Sequence, residues 1–85
     1  MRIELRFFAS VREALGTGQE TLELPSGVET AGAVRDFLRM RGGAWEQALA
    51  EVRALRMAWN QQMAHPETPI AEGGELAFFP PVTGG

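Results

Sequence analysis

The chain has no cysteine among its 85 residues, and that absence removes disulfides, thiolate metal sites and a cysteine nucleophile together. Lysine is missing too: all eight basic residues are arginine. Genomic composition explains the bias most simply, but it has a chemical consequence, since an activated carboxyl group finds no lysine amine to attack it within its own fold. The single histidine, His65, stands beside Pro66 in a turn region with no second ligand at metal spacing, and reads as an ordinary surface residue. Gly16-Thr17-Gly18 lacks the length and the following lysine of a phosphate loop. Glu46, Glu51 and the neighbouring arginines read as a solvated helix face rather than a carboxylate pair poised for acid–base work. No apolar stretch is long enough to span a bilayer, and Met1-Arg2 runs straight into an alternating segment with no apolar signal-peptide core, so the expected location is the cytoplasm and no membrane partner is expected. A formal charge of -3 argues against nucleic acid, whose phosphates need a basic patch.

What remains is the composition of one small globular domain, 45% hydrophobic and 22% charged, near the size where a single core only just suffices. Arg2 to Phe8 alternates, with Ile3, Leu5 and Phe7 on one face and Arg2, Glu4 and Arg6 on the other, and Phe8 then falls on the outer face. Ser10 to Thr17 reads as a loop or short helical turn closed by Gly16 and Gly18. Gln19 to Leu24 alternates again and is expected to pair antiparallel with the first strand, until Pro25-Ser26-Gly27 ends it. Thr30 is a plausible N-cap for the main helix, in which Val34, Phe37, Leu38 and Arg41 recur at helical spacing, with Gly42-Gly43 placed as its C-cap. Trp45, Ala48, Leu49 and Val52 repeat that spacing as a shorter second helix. Leu55, Met57 and Trp59 alternate as a third strand, Asn60-Gln61-Gln62 turns into a short strand around Met63 to His65, Ile70 is a buried anchor, and Glu75 to Phe79 closes the fold with Leu76 and Phe78 inward and Ala77 and Phe79 outward. The order implies an α+β fold, a mixed sheet of about five strands with the main helix across one face; if the first and last strands lie side by side at the centre, that helix serves as their crossover.

The end of the chain differs in kind. Pro80 and Pro81 have no N–H to donate, so the sheet should stop at Phe79, giving a body of residues 1–79 and an arm of residues 80–85. Six extended residues span roughly 20 Å, long enough to probe a partner's deep active site. Gly84 and Gly85 carry no Cβ and can thread a narrow channel. Terminal residues commonly fray, but this pair follows a strand almost directly, and the function is expected to reside in the carboxyl group of Gly85.

The pattern resembles the ubiquitin-like β-grasp fold. Phe78-Phe79-Pro80-Pro81-Val82-Thr83-Gly84-Gly85, preceded by Asn60-Gln61 and by Phe7-Phe8-Ala9 with Val11-Arg12-Glu13, is similar to the small, sulfur-carrying subunits of molybdopterin synthase. One departure is Gly74, in a turn where that family often has an acidic residue. The resemblance implies that Gly85 is adenylated by an ubiquitin-activating-like adenylyltransferase, which consumes ATP, and is then converted to a thiocarboxylate. It also implies that Val82, Thr83 and Gly84, together with Pro80 and Pro81, enter the large synthase subunit, where the sulfur passes to a cyclic pyranopterin monophosphate. Such a carrier holds no stable cofactor or metal and needs no catalytic side chain of its own, because the thiocarboxylate sulfur is already a nucleophile.

Outward aromatics supply the remaining candidates. Phe8 and Phe79, extended by Met63, form one apolar strip if their strands adjoin, and a contiguous apolar patch marks an interface where a single exposed residue does not. By resemblance the strip serves both the large subunit and the activating enzyme, with Arg12 as an ionic contact at its rim. Three other readings of the same terminus stand beside this one: a sulfur carrier for thiamine thiazole synthesis, a ubiquitin-like modifier that forms isopeptide bonds through Gly85, and a plain interaction module whose tail is inert.

Overall fold

The computed structural model describes residues 1–81. Strand β1 (Arg2–Phe7) buries alternate residues, and strand β2 (Gln19–Glu23) pairs with it antiparallel, setting Ile3 opposite Leu22 and Leu5 opposite Glu20. The last strand, β5 (Glu75–Phe79), lies parallel to β1 on its other side, with Leu5 opposite Leu76 and Phe7 opposite Phe78. Strand β3 (Arg56–Trp59) runs antiparallel to β5, and β4 (Gln62–Ala64) folds back on β3, so the sheet order is β2-β1-β5-β3-β4. First and last strands thus meet at the centre, which fulfils the condition under which the main helix acts as their crossover. A parallel pair needs a long crossover, and the helices of the intervening chain provide it.

Helix α2 (Ala31–Arg39) starts at the predicted cap: the Thr30 hydroxyl oxygen accepts from the Ala33 N–H at 3.2 Å. It buries Ala31, Val34 and Leu38 against Ile3, Leu5, Phe7, Leu22, Met57, Leu76 and Phe78 in one core on one side of the sheet, with Ile70 anchored in the same cluster. Gly32 admits the turn at Pro66 behind it, since a Cβ there would come within 2.9 Å of the Pro66 carbonyl oxygen.

Three expectations change in this helical layer. The segment expected to be a loop or short turn is a full helix, α1 (Ala9–Leu15), pinned by buried Val11 and closed by Gly16 in the left-handed conformation at φ 75°. The described residues therefore hold three helices rather than two. Gly42-Gly43 does not cap α2: that helix ends at Arg39 and tightens through i→i+3 bonds onto Phe37, Leu38 and Arg39, while Gly42, at φ 77°, starts the next helix, α3 (Gly43–Ala48). Val52, expected on the buried face of that helix, lies past its end and is 92% exposed, because Leu49 already fills the core position.

Arg35 locks α2 to the end of α3. Its Nε donates to the Leu49 carbonyl at 2.7 Å and one Nη to those of Ala50 and Arg53 at 2.6 and 3.1 Å. These bonds satisfy carbonyls at the helix end with a cation, as the helix dipole favours. Burial, and then the neighbouring Arg39 charge, lower the Arg35 pKa from an ordinary value far above neutrality. Arg41 caps the other side of the layer, its guanidinium 4.3 Å above the Trp45 ring and bonded to Glu20 at 2.9 Å.

Candidate functional site

Strand alternation sends one set of side chains into the core and the other onto the face that no helix covers. On that face the strand pairings set Arg6 beside Ala77, Ala77 beside Ala58 and Ala58 beside Met63, a row running across four strands. The next row, toward the arm, sets Phe79 beside Arg56. Phe8 continues it on the other side. Its N–H donates to the Phe78 carbonyl at 3.1 Å, so the chain stays in parallel pairing one residue past β1 and brings Phe8 alongside Phe79.

The result is one apolar strip of Phe8, Phe79, Ala77, Ala58 and Met63. Phe8 is 48% and Met63 62% exposed, both large apolar side chains facing solvent. Phe79 is half-buried, and Ala77, expected to face outward, is only 5% exposed. Ala77 still points away from the core, whose cluster does not include it. It sits on a central strand as a small side chain among larger neighbours, which makes the strip shallow in the middle and raised at Phe8 and Met63.

Local sequence explains how Phe8 comes to be displayed. It is the residue before α1, extended at φ -124° and ψ 156°, and its side chain makes no capping bond. Ala9 then turns the chain abruptly at φ 51°, a left-handed value uncommon outside glycine, so the backbone leaves the sheet just after presenting the ring. Arg12 follows one turn later, its N–H donating to the Phe8 carbonyl at 3.3 Å, and its guanidinium lies over Gly18, where a Cβ would come within 3.0 Å of Nε. The glycine expected to close a turn thus makes room for Arg12, and because Gly18 lies opposite core-facing Phe7 the guanidinium sits on the helix side of the β1–β2 edge.

The chain leaves β5 beside this strip. β5 ends at Phe79 and the chain continues through Pro80 and Pro81, both half-buried. Val82, Thr83, Gly84 and Gly85, the residues on which the chemistry was expected, lie outside the described residues.

Phe8, Phe79 and Met63 therefore share the uncovered face, with Met63 reached through Ala58 and Ala77, while Arg12 lies over Gly18 opposite core-facing Phe7. Sequence reading missed Ala58 and Ala77, which join Met63 to the phenylalanines, and Arg56, the direct neighbour of Phe79. The outward parity of all three was visible in the chain, but which strand lies beside which was needed to connect them. His65 is exposed next to β4, and among the described residues no three histidine, aspartate or glutamate side chains come together as a metal site. No helix among them is long and apolar enough to cross a membrane.

A five-stranded mixed sheet with a parallel central pair and helices on one face only defines a ubiquitin-like β-grasp domain. The ThiS family model matches residues 5–85, and the chain belongs to that family. It is 40% identical over 83 residues to the molybdopterin synthase sulfur carrier subunit of Haemophilus influenzae, covering 98% of this chain and 99% of that one. The corresponding subunit of Escherichia coli is 39% identical with the same coverage. Among solved structures, SAMP1 from Haloferax volcanii superposes with a TM-score of 0.77 at 26% identity, each chain covered in full.

Proposed function

We propose that this chain is the sulfur-carrier subunit of a molybdopterin synthase, and that its reactive atom is loaded onto Gly85. Near full-length identity of 40% and 39% to two subunits of that name supports the reading. The observation that carries it is the union of strip and arm: the central parallel pair ends in Phe8 and Phe79 on the uncovered face, and the chain departs from Phe79 as Pro80-Pro81. A body that docks through the strip would aim the arm into its partner in a fixed direction.

The chemistry divides accordingly. A carboxylate is a poor electrophile, so an adenylyltransferase first joins the Gly85 carboxylate to AMP, using ATP and releasing pyrophosphate. A sulfide equivalent then displaces AMP and leaves a thiocarboxylate. That sulfur is soft and ionised at neutral pH, and attacks without a neighbouring base. The large synthase subunit receives the arm and supplies the binding site for the cyclic pyranopterin monophosphate, to which the sulfur passes to build the dithiolene that later holds molybdenum. In this scheme Pro80, Pro81, Val82, Thr83 and Gly84 are spacer, and Phe8, Phe79 and Met63 form the docking surface for both partners.

Intact-mass measurement after incubation with ATP, the adenylyltransferase and a sulfur source tests the scheme. One oxygen exchanged for sulfur, mapped to Gly85, is expected, and loading should fail when Gly85 is deleted. The likeness to SAMP1, a modifier by name, keeps a second reading in view. Lysine-linked adducts of other proteins, in place of the thiocarboxylate, would favour it. Co-purification with a thiazole-forming enzyme rather than a pterin-binding one would assign the carrier to thiamine synthesis.

A further inference from the structure

Four methionines carry all the side-chain sulfur of this protein, because cysteine is absent. Three of them lie off the docking strip. Met57 is in the core at 4% exposure, Met1 shares the inward parity of Ile3, Leu5 and Phe7, and Met40 ends α2 in the helical layer. Met63 stands on the uncovered face, 62% exposed, opposite Ala58 in the β3–β4 pairing. Its neighbours in the row are Ala58 and then Ala77, too small to shield it, so its side chain rises above the sheet.

An exposed position on a short edge strand favours a β-branched or charged residue. Methionine is neither. What it brings there is flexible apolar area together with an oxidisable sulfur.

We infer that Met63 is an oxidation site that switches docking off: a peroxide converts its thioether to the sulfoxide, and the strip then no longer seats the partner. The inference rests on the docking role proposed above and adds its regulation. In the step, the Met63 sulfur attacks one oxygen of hydrogen peroxide. An S–O bond forms as the O–O bond breaks, and the proton on the transferred oxygen passes to the departing hydroxide. Sulfur loses two electrons and the peroxide is reduced to water. The product is polar, and its S–O dipole, buried against an apolar surface without a hydrogen bond, opposes association. A sulfoxide reductase reverses the change at the expense of a dithiol. Geometry also decides when the oxidant acts. Met63 is open in the free chain and covered once the strip is docked, so the idle subunit is oxidised and the assembled one is spared. Met40, 83% exposed and outside the strip, reacts in either state without consequence for docking.

The test exposes the full chain, with Gly85 as its carboxylate, to hydrogen peroxide and locates each added oxygen by peptide mass. Affinity for the large molybdopterin synthase subunit of the same organism is then read by titration calorimetry. Oxidation of Met63 should weaken binding about tenfold, the size expected for an unpaired buried dipole, and a sulfoxide reductase with dithiothreitol should restore it. Met63→Leu, whatever its starting affinity, should keep that affinity after peroxide, whereas Met40→Leu should lose as much as the parent. In the preformed complex Met63 should take up oxygen more slowly than in the free chain, while Met40 reacts equally fast in both. Undiminished affinity of a chain fully oxidised at Met63, an equal loss in the Met63→Leu chain, or equal oxidation of Met63 in free and bound chains would overturn the inference. If the untreated parent does not bind the large subunit at all, the proposed function falls together with it.

Discussion

Phe7 and Phe78 stack across the parallel β1–β5 pair with ring centroids 5.9 Å apart, one strand step before Phe8 and Phe79 emerge on the opposite face. The core side of this pair is further braced by Trp45, whose ring meets Phe7 edge-on at 5.6 Å. Folding and docking are thereby separated by residue parity: Phe7 and Phe78 hold the body together, and their successors are available to a partner.

Phe79→Asp should therefore leave the fold intact, because Phe79 lies outside the core cluster. It should weaken association with the large synthase subunit by about 2 kcal/mol or more, about thirtyfold in Kd, as loss of a central aromatic anchor does. Titration calorimetry beside a thermal melt reads both quantities. Unchanged affinity would reject the strip as the docking surface.

Much of this arrangement is legible in the chain because it follows a period of two. Ile3, Leu5 and Phe7, like Leu76 and Phe78, announce the inward faces of two strands, though not that the strands adjoin, and Thr30 announces α2. Helix α1 is hidden for a physical reason: Phe8 supplies no capping oxygen, Ala9 enters at a positive φ, and seven residues bury only Val11. Gly42 misleads because a glycine with positive φ serves equally to end one helix or to precede the next, and the choice depends on where Leu49 and Trp45 find the core. Ala58, Ala77 and Arg56 join the docking face only through cross-strand register, which no local pattern states.

Gly74, the departure from the family pattern, has a structural reason in Trp59. A Cβ on Gly74 would overlap ring carbons Cζ2 and Cη2 of that tryptophan, which packs half-buried against the core. Gly74→Asp should cost about 1–3 kcal/mol, the range for forced overpacking, read as a lower urea midpoint. In a Trp59→Leu background the same substitution should cost much less, and the coupling between the two is the decisive quantity. Equal costs in both backgrounds would show that the ring does not dictate the glycine.

The β3–β4 hairpin is under local strain that one substitution can relieve. Asn60 and Gln61 both adopt positive φ, 50° and 69°, in the two-residue turn between paired Trp59 and Gln62. Asn60 earns its place, since its Oδ1 accepts from the Glu75 N–H at 2.9 Å. Gln61 has no such compensation, and Asn-Gly is the favoured sequence for this turn. Gln61→Gly should raise stability by about 0.5–1 kcal/mol, the left-handed strain removed less the added freedom of the unfolded chain. A drop in thermal midpoint would mean that Gln61 contributes a contact outweighing its backbone cost.

The acid limb of stability should depend on Glu46. Its carboxylate accepts from Arg39 at 3.0 Å, and that hydrogen bond, more than the accompanying charge attraction, holds its pKa below the ordinary carboxylate value. Arg39 also draws in Asp36 at 3.6 Å and Glu51 at 3.8 Å, so three carboxylates share one cation. A carboxyl group with a lower pKa in the folded state binds its proton less readily there than in the unfolded chain. The stabilisation is therefore complete above the unfolded value, about 4.3 for glutamate, and is lost as pH falls through the folded one. Glu46→Gln should accordingly unfold at a lower urea concentration than the parent at neutral pH, with the gap closing as the medium is acidified and narrowing in high salt. A gap that persists undiminished in acid would assign the effect to packing of the side chain and not to its charge.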